Sequence, residues 1–119
     1  MKKILIIEED MQVVPKLIKM FKNNEDKTFI VEDVNKGFKM LGGERFDTII
    51  IEEDMLKDLY YNHFQIFCSE IRKRPKKYGN PYIMVIGNNL DIHEVEEQIY
   101  ISGMSEYIPL KNKKYFSGS

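Results

Sequence analysis

The sequence predicts an α/β domain built on a doubly wound, five-stranded parallel sheet. Short runs of β-branched and leucine residues, Ile4–Ile7 and Ile49–Ile51 among them, carry no polar residue to face solvent and fit strands buried on both faces. Segments with apolar residues at helical spacing separate these runs, and alternating strands and helices build a parallel sheet covered on both sides. Two of the runs end in carboxylates: Glu8, Glu9 and Asp10 after the first, and Glu52, Glu53 and Asp54 after the third. Such strand ends form the carboxyl edge of the sheet, where α/β proteins usually bind ligands.

The elements follow in order. Lys3 to Ile7 is the first strand, and Asp10 is a candidate cap for a helix with Val14, Leu17, Ile18 and Phe21 on one face. Pro15 fits only in a first turn, so that helix starts nearer Val13 than Met11. Asn23 to Lys27 reads as a polar turn. Thr28 to Val34 is the second strand, with Phe29 and Val31 facing opposite to Ile30 and Glu32. Asn35 can cap a helix through Leu41 that Gly42 and Gly43 end. Asp47 to Glu52 is the third strand, and the aromatic stretch Leu56 to Asn62, with Tyr60 and Tyr61, reads as a loop.

Phe64, Phe67, Cys68 and Ile71 then keep helical spacing up to Arg72-Lys73-Arg74 and stop at Pro75. Tyr82 to Ile86 is the fourth strand, broken by Gly87-Asn88-Asn89. Asp91 and Glu94 make a capping box before a helix carrying Ile92, Val95, Ile99 and Tyr100, and Gly103 ends it. Glu106 to Leu110 is the fifth strand. The domain is expected to span residues 1–111, with 112–119 a basic, flexible tail or the start of a linker. That leaves a fifth helix missing or truncated, and an uncovered face there would be a contact surface.

Composition narrows the function. The 119 residues are 43% hydrophobic and 31% charged, ordinary for one globular domain. A net charge of −1 gives no general pull toward nucleic acid or an anionic membrane. The basic runs Arg72–Lys77 and Lys111–Lys114 do not change this, since cations at a helix C-terminus complement its dipole. No apolar run approaches the roughly 20 residues that span a bilayer. A single cysteine, Cys68, rules out an internal disulfide and makes the cytoplasm the expected compartment. On its apolar helix face Cys68 reads as core rather than nucleophile. His63 and His93 stand alone, and no glycine-rich phosphate loop follows a strand.

Four stretches together resemble the receiver domain of two-component response regulators: Lys3–Asp10, Phe46–Glu52, Pro81–Gly87 and Ser102–Ile108. The resemblance spans nearly the whole chain and implies the flavodoxin-like receiver fold. In that family an acidic pair and an acceptor aspartate hold Mg²⁺, while a hydroxyl and a lysine grip the phosphoryl oxygens. Charge in the transferring group is what such donors and cations stabilise. Here the acidic pair falls on Glu8 and Glu9, the acceptor on Glu52, the hydroxyl on Ile86 and the lysine on Leu110, with Lys111 as a one-residue substitute. The switch aromatic falls on Tyr107, which on its own reads as a half-buried strand tyrosine with a wet hydroxyl.

These departures imply a degenerate, non-catalytic pseudo-receiver that signals through protein contacts. The expected partner is another protein or a fused output domain, or a second copy of the chain. No cofactor is expected. Glu8, Glu9 and Glu52 are weak candidates for Mg²⁺, and their clustering should raise carboxyl pKa values. Glu53, Asp54 and Asp58 read as solvated loop charges. The rival readings are a receiver that takes phosphoryl groups at an altered acceptor, and a divalent-metal sensor using the acidic edge.

Overall fold

The computed structural model describes residues 1–21, 23, 25–56, 63–88 and 90–109, with the backbone alone at 63–65. Five strands form one parallel sheet: β1 (Lys3–Ile7), β2 (Lys27–Val31), β3 (Thr48–Glu52), β4 (Tyr82–Gly87) and β5 (Glu106–Pro109). Their order across the sheet is β2-β1-β3-β4-β5, the flavodoxin-like arrangement. Among the described residues the helices are α1 (Val14–Phe21), α2 (Val34–Gly43), α3 (His63–Arg72), the single turn α4 (Pro75–Tyr78) and α5 (Ile92–Ser102). A 3₁₀ turn, Glu53–Leu56, follows β3 directly. The expected fifth strand end, lysine position and tail fall on Leu110, Lys111 and 112–119, outside the described residues, as do Tyr60, Tyr61 and Asp58.

The period-two alternation of side chains divides the core into two layers. Leu5, Ile7, Ile49, Ile51, Ile83, Val85 and Tyr107 pack on the side of α2 and α3, around a fully buried Phe67. Ile4, Ile6, Ile50, Met84 and Ile86 pack on the side of α1, against Leu17.

Several local expectations need correction. Asp33, not Asn35, caps α2: its carboxylate accepts from the Lys36 backbone N–H at 2.7 Å. An N-cap needs an extended backbone one residue before the helix, and Asp33 has it, with φ −149° and ψ 164°. Asp33→Ala is expected to cost about 1 kcal/mol in a urea melt, and Asn35→Ala almost nothing. Asp10 does not cap α1. Its carboxylate accepts from the Gln12 N–H at 2.9 Å, which stabilises the turn before the helix, while the Val13 carbonyl takes the first helical bond from Leu17. Pro15 therefore lies in the first turn of α1. The second strand stops at Val31, three residues short of Val34. Pro75 ends α3 and also opens α4, where its missing N–H is no loss.

The largest difference is in α5. Its capping box and its left-handed Gly103 end are as the sequence predicts. Its inward face, however, is Val95, Gln98 and Ser102, while Ile92, Ile99 and Tyr100 are exposed, Tyr100 at 89%. Arg72 holds the other end of this layer together: its guanidinium donates to the Gly103 and Pro81 carbonyls, Asn80 Oδ1 and Ser105 Oγ. Cys68 is buried beside it as core, its thiol pushed up to about 12 by burial.

Candidate acidic site at the carboxyl edge of the sheet

The carboxyl ends of β1, β3 and β4 bring Glu8, Glu52 and Ile86 to one edge. Glu52 pairs with Ile86 in the β3–β4 register, and all three continue the α1-side rows of their strands. Glu8 is completely buried. One of its oxygens accepts from the Asp10 N–H at 2.9 Å, and the other, Oε2, is buried with no donor. Glu52 is half-buried beside it. Burial first, then the hydrogen bond shared with Glu8 and the like charges of Glu8, Asp54 and Asp10, push the Glu52 carboxyl up to about 8. A Glu52 that keeps its proton can serve as a donor to the buried Glu8. The sequence leads one to expect like-charge repulsion as the cause, whereas for Glu52 burial comes first and the neighbouring charges add to it.

The donor set does not fit the three-carboxylate metal cage that the resemblance implies. Glu9 is exposed, unlike its neighbour Glu8. Among the described residues no group of three or more His, Cys, Asp or Glu side chains is placed to hold a metal ion. Ile86 is fully buried in the α1-side core, where it offers neither a hydroxyl nor a cation.

Two further residues belong to this edge, and the sequence reading places both wrongly. Glu53 is no solvated loop charge: it is 6% exposed, one residue past Glu52 and on the opposite face of the sheet. Tyr107 has no wet hydroxyl. It is 7% exposed and donates to Glu53 Oε1 at 2.6 Å. Gly87 makes the room, since a Cβ there would lie 2.1 Å from Glu53 Oε1. Alternation was the available signal: a strand buried on both faces carries Ile49 and Ile51 into Glu53, just as it carries Ile50 into Glu52. Asp54 is exposed, as expected.

No protein-family profile and no curated protein matches the chain. Solved structures do. The receiver domain of Francisella response regulator 1452 superposes with a TM-score of 0.70 at 16% identity, covering 92% of this chain and 84% of that one. The chemotaxis response regulator CheY4 of Vibrio cholerae gives 0.69 at 14% identity, covering 90% and 84%. A Burkholderia pseudomallei response regulator, solved with a phosphorylated aspartic acid and a calcium ion, gives 0.65 at 15% identity, covering 93% and 61%. The chain has the fold of the response-regulator receiver domain.

Proposed function

We propose that the chain is a pseudo-receiver: a non-catalytic signalling domain that takes no phosphoryl group and works through protein contacts. The observation that carries this is the pairing of Glu52 with a fully buried Ile86 across β3 and β4, where phosphoryl oxygens would need a donor. A carboxyl with a pKa of about 8 is also mostly neutral at pH 7, so Glu52 is neither a good nucleophile nor a permanent stand-in for phosphate. The site is an inherited acidic edge that holds a proton in place of a metal, and no cofactor is assigned to it.

The contact surface is the α5–β5 face. There Ile92, Ile99 and Tyr100 stand exposed beside the half-buried Val95, an apolar stripe of the kind that marks a protein interface. The basic stretch is not assigned to nucleic acid, because Arg74 pairs with Glu70 and Lys77 lies 5.2 Å from the centre of the Tyr78 ring. A single buried cysteine suits the cytoplasm. Among the described residues no helix is long and apolar enough to cross a membrane.

The test is treatment with Mg²⁺ and a small phosphodonor or beryllofluoride, followed by intact mass and amide shifts at Glu52, Ile86 and Tyr107. No mass gain and no saturable shift are expected. A phosphorylated mass would overturn the reading, and saturable shifts with Mg²⁺ alone would replace it with metal sensing.

A further inference from the structure

The carboxyl edge carries two separate sets of side chains on opposite faces of the sheet. On the α1 side stand Glu8, Glu52 and Ile86. On the other side stand Glu53, Gly87 and Tyr107, the last paired with Val85 in the β4–β5 register. The Tyr107 hydroxyl donates to Glu53 Oε1 at 2.6 Å, and the backbone N–H of Leu90 reaches the same hydroxyl at 3.4 Å. Leu90 leads into α5, so one phenol joins the end of β3, the middle of β5 and the entry to α5.

The room for this contact is specific. A Cβ on Gly87 would lie 2.5 Å from Glu53 Cβ and 2.9 Å from its Cδ, so the buried carboxylate occupies the space that a side chain at position 87 would take. Burying a carboxylate is expensive unless it is hydrogen-bonded, and Tyr107 supplies such a bond.

Tyr107, although buried, also forms part of a surface feature. With Leu90, Asp91, Ile92, Val95 and Pro109 it lines a groove of about 380 Å³ between α5 and β5. This groove is continuous, through Ile92 and Val95, with the exposed apolar stripe.

We propose that the Glu53–Tyr107 hydrogen bond is a latch that sets the shape of the α5–β5 groove, so that Glu53, and not the acceptor-position Glu52, governs this aromatic. Glu53 acts as a positioning residue: with the latch closed, the ring and the Leu90 backbone are fixed walls of the groove, and with it open both walls are released. The side chains of Glu52 and Ile86 lie across the sheet from Tyr107, whereas Glu53 touches its hydroxyl directly. The proposal rests on the pseudo-receiver reading only in taking this face as the contact surface.

The test is NMR on the full chain. In the wild type the Tyr107 hydroxyl proton should be protected from solvent exchange and show cross-relaxation to the Glu53 side chain. Glu53→Ala and Gly87→Ala should each remove that resonance. Both should shift the methyls of Leu90, Ile92 and Val95 several-fold more than those of Leu17 and Ile18 across the sheet. Glu53→Gln keeps an acceptor oxygen and should keep the wild-type groove shifts. A wild-type Tyr107 hydroxyl that exchanges as fast as that of the exposed Tyr100 overturns the latch, whether or not the variants fold. So do groove methyls unmoved by Glu53→Ala. A phosphorylated mass would overturn the pseudo-receiver reading and leave these outcomes untouched, so the two failures are separable.

Discussion

Glu52→Gln should stabilise the protein at pH 9 and leave it almost unchanged near pH 4.5. The glutamine amide supplies a donor to Glu8, as the protonated acid does, and cannot ionise. The sign follows from linkage. In the folded chain Glu52 holds its proton up to about pH 8, whereas in the unfolded chain a glutamate loses it near 4.5. Between those values the folded state binds more protons, so this group makes stability fall as pH rises, with no penalty below 4.5 and the full penalty above 8. Undiscounted, such a displacement corresponds to about 5 kcal/mol. Glu52 is only half-buried, so solvent screening leaves about 2 kcal/mol as the expected gain. Urea melts of both proteins at pH 4.5, 7 and 9 measure it. A difference that stays constant with pH would mean that Glu52 does not share its proton with Glu8.

The strands were legible in the sequence because β3 and β4 are buried on both faces, and Ile49–Ile51 and Ile83–Ile86 are short, bounded apolar runs of the kind such strands need. The acidic ends were legible too, since strand ends of a parallel sheet share one edge. What escaped was the assignment of faces. Glu52, Glu53 and Asp54 look equivalent as a run, yet one is half-buried beside Glu8, one is buried under Tyr107 and one is exposed. The gap is widest in α5. Ile92, Val95, Ile99 and Tyr100 fall at helical spacing and invite a core face, while the structure turns Gln98 and Ser102 inward. Ser102 is tolerated there because its hydroxyl donates to the Gln98 carbonyl at 2.6 Å and accepts from the Met104 N–H at 3.2 Å. Periodicity reports that a helix has an apolar stripe, and a stripe fits a partner's surface as well as its own core.

Gly87→Ala should destabilise the fold by about 3 kcal/mol, at the upper end of what overpacking a tight core usually costs. The cost is steric. Among the described glycines only Gly79 and Gly103 have positive φ, so alanine at position 87 meets no backbone penalty of that kind. It meets Glu53: Oε1 at 2.1 Å, Cβ at 2.5 Å and Cδ at 2.9 Å. A carboxylate can swing away from a new methyl group, but a Cβ moves only with its backbone, and Glu53 opens the 3₁₀ turn that buries Leu56. Glu53→Gly removes all three contacts at once, so in the double variant the added methyl should be accommodated. The two substitutions should therefore be strongly non-additive, with the pair less destabilised than the sum of the singles by well over the roughly 0.5 kcal/mol expected of independent sites. Urea denaturation of the four proteins gives the coupling directly. Additive losses would show that position 87 needs glycine for a reason other than the side chain of Glu53, and would leave the room for the buried carboxylate unexplained.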